Sequence, residues 1–351
     1  MEVGSEMQED STPEDRILIV TNFQPQNPFV EALIETIPIP ADLCFRDIAD
    51  KRAENLFSRH VMSLWLAGVV LNKSGHYRNI IICEQFIGLY YCLLARLFPF
   101  IKKSSEALLI SLMYNPRRGW PGHIYKFFYQ FCLDSKAIRY FICHSSTERE
   151  IYLKEFGQDK KNRIIFLKLG EGKPFKVANG HQTGRDLYFF SGGTSNRDYR
   201  TLIESFYGLE QRLVIACYPS DVKGLGIPPN VEIRHNVYGE NFTHLMERSY
   251  AVIIPLLKTE VSSGQLVLLD AMRLGKPIIV TKGGCTRDYL PPNAGVVIEP
   301  YDVEEIRTAV QHLVRDPEHA RRLGQKAKAC YEQDHTVMRY AQRLAAVLKG
   351  E

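Results

Sequence analysis

The sequence predicts an α/β chain built of two doubly wound domains, and three observations carry that prediction. Short β-branched runs alternate with longer amphipathic segments from residue 16 onward. A stretch with four glycines, a proline and no apolar period, residues 170–185 (GEGKPFKVANGHQTGR), interrupts the alternation, which then restarts. A length of 351 residues suits two domains of about 150 residues each. The 45% hydrophobic and 24% charged content is that of a globular chain and excludes disordered and collagenous classes.

The elements follow in order. Arg16–Thr21 (RILIVT) is a β-branched run stopping at a Gln/Pro/Asn loop, which predicts a first buried parallel strand. Arg52–Leu71 reads as a helix, Asn79–Cys83 as a strand, Phe86–Phe98 as a helix and Ala107–Met113 as a strand opening into the loop Tyr114–Gly122. His123–Ser135 reads as a helix and Tyr140–Cys143 as a strand. Ser145 and Glu148 have capping-box spacing and launch a helix up to Gly157, whose position suits a left-handed cap. Arg163–Leu169 is the last strand of this half. Past the linker, strands are predicted at Leu187–Phe190, Leu213–Cys217, Val231–Arg234, Tyr250–Leu257, Pro277–Thr281 and Gly295–Ile298. Helices are predicted at Asp198–Tyr207, Asn241–Arg248 and Gly264–Leu274, and from Val303, Pro317 and Thr336 to the end. The implied organisation is an acidic disordered tail (1–15), a first domain (16–169), the linker (170–185), a second domain (186–328) and a C-terminal helix (329–351) placed to pack back on the first domain.

A net charge of +4 argues for no polyanionic partner, but the charge is unevenly spread. Residues 1–15 carry six acids and no base, whereas residues 96–139 carry eight bases against Glu106 and Asp134. In that basic block Phe98, Phe100, Tyr114, Trp120, Tyr125, Phe127, Phe128, Tyr129 and Phe131 are interleaved. Such a mixture suits single-stranded nucleic acid, a membrane interface, or a solvated face over a core-facing aromatic stripe. The eight cysteines include no CxxC pair and lie mostly in apolar runs, as reduced, buried side chains do. The acidic N-terminus is unlike a signal peptide, and no apolar run reaches the length of a spanning helix. The expectation is a cytoplasmic protein, peripheral at most on the cytoplasmic membrane face.

Ligands of doubly wound sheets bind at the carboxyl ends of strands, so chemistry is sought in the loops there. The first such loop carries Gly192 and Gly193 and then Arg197 ahead of a helix. Glycines admit an anion to the backbone and the guanidinium can grip a phosphate; the plainer alternative is a tight turn with a surface arginine. The second runs through Lys258, Glu260, Ser262, Ser263, Gly264 and Gln265 into an apolar helix that nevertheless contains Asp270. Six residues at 1.5 Å put Asp270 roughly 9 Å from Gly264, a spacing that suits a nucleotide's diphosphate and ribose; an ion pair with a basic residue is the alternative.

The stretch SGQLVLLDAMRLGKPIIVT (263–281), with HSSTEREIYLKEFG before the linker and GGTSNRDYRTLI after it, resembles the donor site of GT-B glycosyltransferases of the family-4-like, group 1 type. The resemblance implies two Rossmann-like domains facing a cleft, with C-terminal helices, and sugar transfer from a nucleotide diphosphate-sugar (UDP- or GDP-sugar) to a hydroxyl acceptor, lipid-linked or a growing glycan. It puts Asp270 on the motif's second glutamate, which holds the ribose, and Arg197 on the diphosphate-binding lysine. Ser262 falls on the first glutamate, which touches the sugar, a departure that Glu260 could offset. Gly192 replaces a companion arginine, for which Lys258 or Lys282 could substitute. In the first domain the family often has a histidine after the strand at Ala107–Met113; here His123 is nearest and joins Arg197, Ser262 and Glu260 as a catalytic candidate, as catalytic base or sugar contact, while acceptor contacts are sought at Asn22, Gln24, Tyr114, Asn115 and His123. With that resemblance the basic block reads as docking on an anionic membrane surface rather than on nucleic acid. No D-x-D motif is present, so no metal or other cofactor is implied. The alternatives are a non-catalytic nucleotide-sugar-binding subunit of a glycan-assembly complex and a GT-B nucleotide-sugar epimerase.

Overall fold

The structure, a computed structural model, describes residues 16–45, 56–101, 106–172, 187–260 and 262–350. The acidic tail and most of the linker lie outside the described residues, as do Lys102 and Lys103. The chain divides into two units: Met1–Cys143, Ile151–Phe166 and Gln342–Glu351 form the first, and His144–Glu150 with Leu167–Ala341 the second.

The first unit holds a six-stranded parallel sheet of β1 (Ile17–Thr21), β2 (Ala41–Phe45), β3 (Asn79–Ile82), β4 (Glu106–Leu109), β5 (Tyr140–Cys143) and β6 (Ile164–Phe166), in the order β2-β1-β3-β4-β5-β6. β1 and β3 are buried along their whole length, the reason they read as unbroken apolar runs. Helix α1 (Pro28–Thr36) is capped by Asn27, whose side chain accepts the Phe29 N–H at 3.0 Å. α2 (Leu56–Lys73), α3 (Gln85–Leu97) and α4 (Trp120–Leu133) pack in sequence, His60 on Phe86 and Tyr90 on Phe128. α5 (Ser146–Phe156) adds Phe156 against Tyr129.

Elements α1 and β2 escape the sequence reading. Prolines at 25, 28, 38 and 40 break the apolar period around them, and β2 is an edge strand, only half-buried. The strand predicted at Ala107–Met113 stops at Leu109, and that at Arg163–Leu169 shortens to three residues. Gly157 does have positive φ (+110°), but its ψ of 142° is not that of a left-handed helical cap.

The second unit's sheet comprises β7 (Tyr188–Gly192), β8 (Arg212–Ala216), β9 (Val231–Arg234), β10 (Ala251–Ile254), β11 (Ile278–Thr281) and β12 (Val296–Ile298), all parallel, in the order β12-β11-β10-β7-β8-β9. Alternate residues face opposite sides: Phe190, Val252 and Val280 join one core, Phe189, Ile253 and Ile279 the other. Helices α6 (Tyr199–Ser205), α7 (Glu240–Arg248), α8 (Gln265–Arg273), α9 (Gly284–Tyr289), α10 (Val303–Arg315), α11 (Pro317–Cys330) and α12 (Val337–Lys349) complete the fold, with a π-helical turn at Tyr331–His335. α9, only six residues long, was not legible as a helix.

Among the described cysteines Cys83, Cys92, Cys132, Cys143 and Cys217 are buried thiols outside any disulfide. Burial pushes the thiols of Cys83 and Cys132 up to about 12 and that of Cys217 to about 11. No helix among the described residues is long and apolar enough to cross a membrane.

Candidate active site

In the second sheet β7 lies between β10 and β8, so the connections leaving β7 and β10 diverge and leave a crevice at their carboxyl ends. The two loops singled out from sequence leave that point. They are laced together by Asn196, a residue with φ of 58° that sequence reading passed over. Its Nδ2 donates to Lys258 O at 2.8 Å and to Ser263 Oγ at 2.7 Å, and its Oδ1 accepts the Lys258 N–H at 2.9 Å. Backbone bonds Leu257 N–H to Asn196 O (3.2 Å) and Asp198 N–H to Pro255 O (3.2 Å) close the seam.

Arg197 sits inside this seam. Its Nε donates to Gly192 O (3.1 Å) and its Nη1 to Ser195 O (2.6 Å), which fixes the guanidinium beside Gly193. A Cβ at Gly193 (φ +108°) would lie 2.8 Å from Arg197 Nη2, so only glycine leaves the guanidinium this place. Gly264 (φ +85°) starts α8 without a capping side chain, and a Cβ there would lie 3.8 Å from Arg197 Nη1. The first helical bond of α8 is Leu268 N–H to Gly264 O (2.9 Å), so the N–H groups of Gln265–Val267 precede the ladder and face the arginine's end of the helix. A guanidinium and uncapped helical N–H groups at one strand end form a place for an anion.

The other expected donor residues fall into three groups. Ser262 and Gln265 bond each other through their side chains, and Ser263 takes the bond from Asn196. The Ser262 N–H donates to the Glu148 carboxylate (3.0 Å) and is thereby committed to it rather than offered to an anion. Asp270 is half-buried rather than enclosed, and it pairs with Arg273 three residues on, at 2.9 Å. Lys258 and Glu260 are exposed, and Lys282 pairs with Glu299 at 2.7 Å on the surface.

The segment His144–Glu150 belongs to this unit. Asp288 caps α5 by accepting the Ser146 N–H (2.7 Å) and Oγ–H (2.5 Å), and Tyr289 OH donates to His144 O (2.7 Å). The expected capping box is half realised: the Glu148 N–H donates to Ser145 Oγ at 3.4 Å, while the Glu148 carboxylate serves Ser262.

In the first unit the sheet order changes direction between β1 and β3, and Asn22 and Gln24 follow β1, half-buried and exposed respectively. Asn115 is exposed, and His123 is an exposed first-turn residue of α4 whose Nδ1 lies 3.0 Å from Gly119 O. Tyr114 is corrected from acceptor contact to core. Its ring is 5% exposed, stacked on Tyr125 at 5.4 Å and packed edge-on to Phe156. The aromatic block divides by helix face: Tyr129 is buried, whereas Trp120, Ile124 and Phe127 form an exposed stripe one and two turns apart. Several of its bases have partners, Lys126 with Glu155, Arg139 with Glu106, and Arg96 over the Phe131 ring.

Among the described residues, Cys330, Asp334 and His335 at the π turn bring three possible ligand atoms within 4.8 Å of one another. Each also serves the fold: Cys330 Sγ faces Tyr289 O (3.9 Å), Asp334 pairs with Lys168 (3.7 Å) and His335 Nδ1 meets Leu169 O (3.3 Å).

Residues 190–329 match the model of the family described as glycosyl transferases group 1. No curated protein sequence matches the chain. Among solved structures it is similar to sucrose-phosphate synthase from Thermosynechococcus elongatus (TM-score 0.68, 15% identity, covering 96% of this chain and 99% of that one). It is similar as well to a glycosyltransferase from Rickettsia africae (0.67, 11%, 96% and 98%). A third is the Anabaena protein HepE in complex with UDP and glucose (0.64, 13%, 95% and 99%). The loops that form the anion place all lie within the segment that matches the group 1 glycosyl transferase model, and the two parallel sheets give the chain the GT-B fold of those structures.

Proposed function

We propose that this chain is a glycosyltransferase that takes its sugar from a UDP- or GDP-sugar, without a metal or other cofactor, and gives it to a hydroxyl of a lipid-linked or growing glycan at an anionic membrane surface. The observation that carries the reading is the seam at the ends of β7 and β10, where Arg197 and the first N–H groups of α8 converge. HepE, similar in fold, binds UDP and glucose. As the acceptor hydroxyl's oxygen bonds to the anomeric carbon and its proton passes to the departing diphosphate or to solvent, the bond from that carbon to the diphosphate breaks and negative charge grows on the leaving group. A fixed guanidinium and helix dipole stabilise that charge without reorganising. Asp270 accepts the ribose hydroxyls, turned out of its pair with Arg273 or sharing it. The first unit recognises the acceptor through the loops following β1 and β4, and the stripe Trp120, Ile124 and Phe127 enters the lipid interface beside Arg117 and Arg118.

A thermal-shift series with UDP, GDP, ADP and their sugars tests the donor. One nucleotide raises Tm in the wild type, and Asp270→Ala weakens it by about 1.5–3 kcal/mol, the worth of charge-assisted hydrogen bonds. Wild-type donor affinity in that variant would exclude the ribose role. For the membrane, wild-type protein floats with anionic vesicles, and Trp120→Ser/Phe127→Ser or Arg117→Glu/Arg118→Glu leaves it in the soluble fraction. Equal flotation of all three would refute docking by this face.

A further inference from the structure

The donor loop has a charged neighbour from far along the chain. Glu148, 7% exposed, accepts the Ser262 N–H at 3.0 Å although the two residues are 114 positions apart. The segment that bears it is clamped by Asp288 and Tyr289, so the carboxylate is held by the fold and not by a mobile side chain alone. A buried carboxylate is costly, and one kept against a ligand loop calls for a reason.

Position supplies one, given the donor reading above, on which this inference rests. Along the second loop and α8 the order is Ser262, then the N–H groups beyond Gly264, then Asp270. A nucleotide with its ribose at Asp270 and its diphosphate at the start of α8 carries its sugar on past Gly264, toward Ser262. The loop's own side chains there are already bonded to each other: Ser262 to Gln265, and Ser263 to Asn196. Glu260 is exposed, and Asp288 is committed to Ser146. Glu148 is the buried carboxylate that touches the loop at its sugar end.

We propose that Glu148 is a sugar-recognition residue: its carboxylate, aimed by the Ser262 N–H, accepts hydrogen bonds from hydroxyls of the donor's sugar. Carboxylates suit that task because each offers roughly four acceptor positions to hydroxyl donors. Ser262 contributes its backbone to holding the acid in place, and the acid arrives from residue 148.

The test uses the full chain and whichever nucleotide the thermal-shift series selects, free and as its glucose conjugate, titrated calorimetrically alongside steady-state kinetics. Glu148→Gln leaves affinity for the free nucleotide within twofold and weakens the nucleotide-sugar at least tenfold. Ser262→Glu alone also weakens it, by crowding two carboxylates, whereas Glu148→Gln/Ser262→Glu recovers at least threefold over Glu148→Gln. Should Glu148→Gln not fold, Glu148→Asp, shorter by one methylene, carries the same comparison. Parallel loss of free nucleotide and nucleotide-sugar, or no loss of either, overturns the proposal, as does failure of the double variant to recover. A wild-type protein that binds no nucleotide at all overturns the donor reading itself, a distinct result.

Discussion

The two sheets change direction at equivalent places, between β1 and β3 in one unit and between β7 and β10 in the other, yet the helices that begin there are finished oppositely. α3 opens on Glu84, whose carboxylate accepts the Ile87 N–H at 2.9 Å and is paired with Arg59 at 2.9 Å. That helix brings its own anion. α8 opens on Gly264, with no side chain to cap it and with Arg197 nearby. One architecture thus presents a satisfied helix start in the first unit and an open one in the second. The residue at the cap, not the fold, decides which helix start is left open to an anion.

The largest expected effect comes from erasing that difference. Gly264→Asp would give α8 its own anion and place a side chain at φ +85°, costing donor turnover about 100–1,000-fold, the range for losing one preorganised anion contact. Unchanged kcat/KM in a folded variant would show that the open cap is not where the diphosphate sits. The converse change, Glu84→Ala, removes a cap and leaves Arg59 unpaired, lowering stability by about 1–3 kcal/mol in a urea melt. Nucleotide affinity should stay at the wild-type value; a comparable loss of affinity would mean that the first unit's helix start takes part in donor binding.

The smallest effect belongs to a charge remote from both helix starts. The Arg16 guanidinium, hydrogen-bonded to Asp42 at the sheet edge, holds that carboxyl below its ordinary value. A lowered folded pKa means stability that is present above about pH 3.9 and lost as pH falls through the folded value. Asp42→Asn should therefore cost under about 1 kcal/mol at pH 7, both partners being partly exposed, and flatten the decline of Tm below pH 4. An equally steep decline in the variant would assign the acid sensitivity to other carboxylates.

Local chemistry was legible and distant pairing was not. Gly192, Gly193, Arg197 and the 262–265 loop declare themselves because a strand, a glycine turn and a helix start are contiguous in sequence. Asn196 stands in the same stretch, but its importance comes from Lys258 and Ser263, 62 and 67 residues away. Glu148 reads as half of a capping box until the fold turns its carboxylate toward Ser262. Tyr114 lies between a strand and a proline- and arginine-rich stretch, which reads as surface loop, yet four aromatic neighbours draw the ring inside: Tyr125, Tyr129, Tyr152 and Phe156 surround it. Asp270 looked enclosed because its helix is apolar; a single helical turn supplies Arg273 and a path to solvent.

The buried sulfurs give each sheet a clock. With their thiols held near 12 at Cys83 and near 11 at Cys217, almost none is the reactive thiolate while the chain is folded. A thiolate-selective reagent therefore waits for a local opening before it can react. The pace at which Cys83 is modified reports how often the first sheet breathes, and the pace at Cys217 does so for the second.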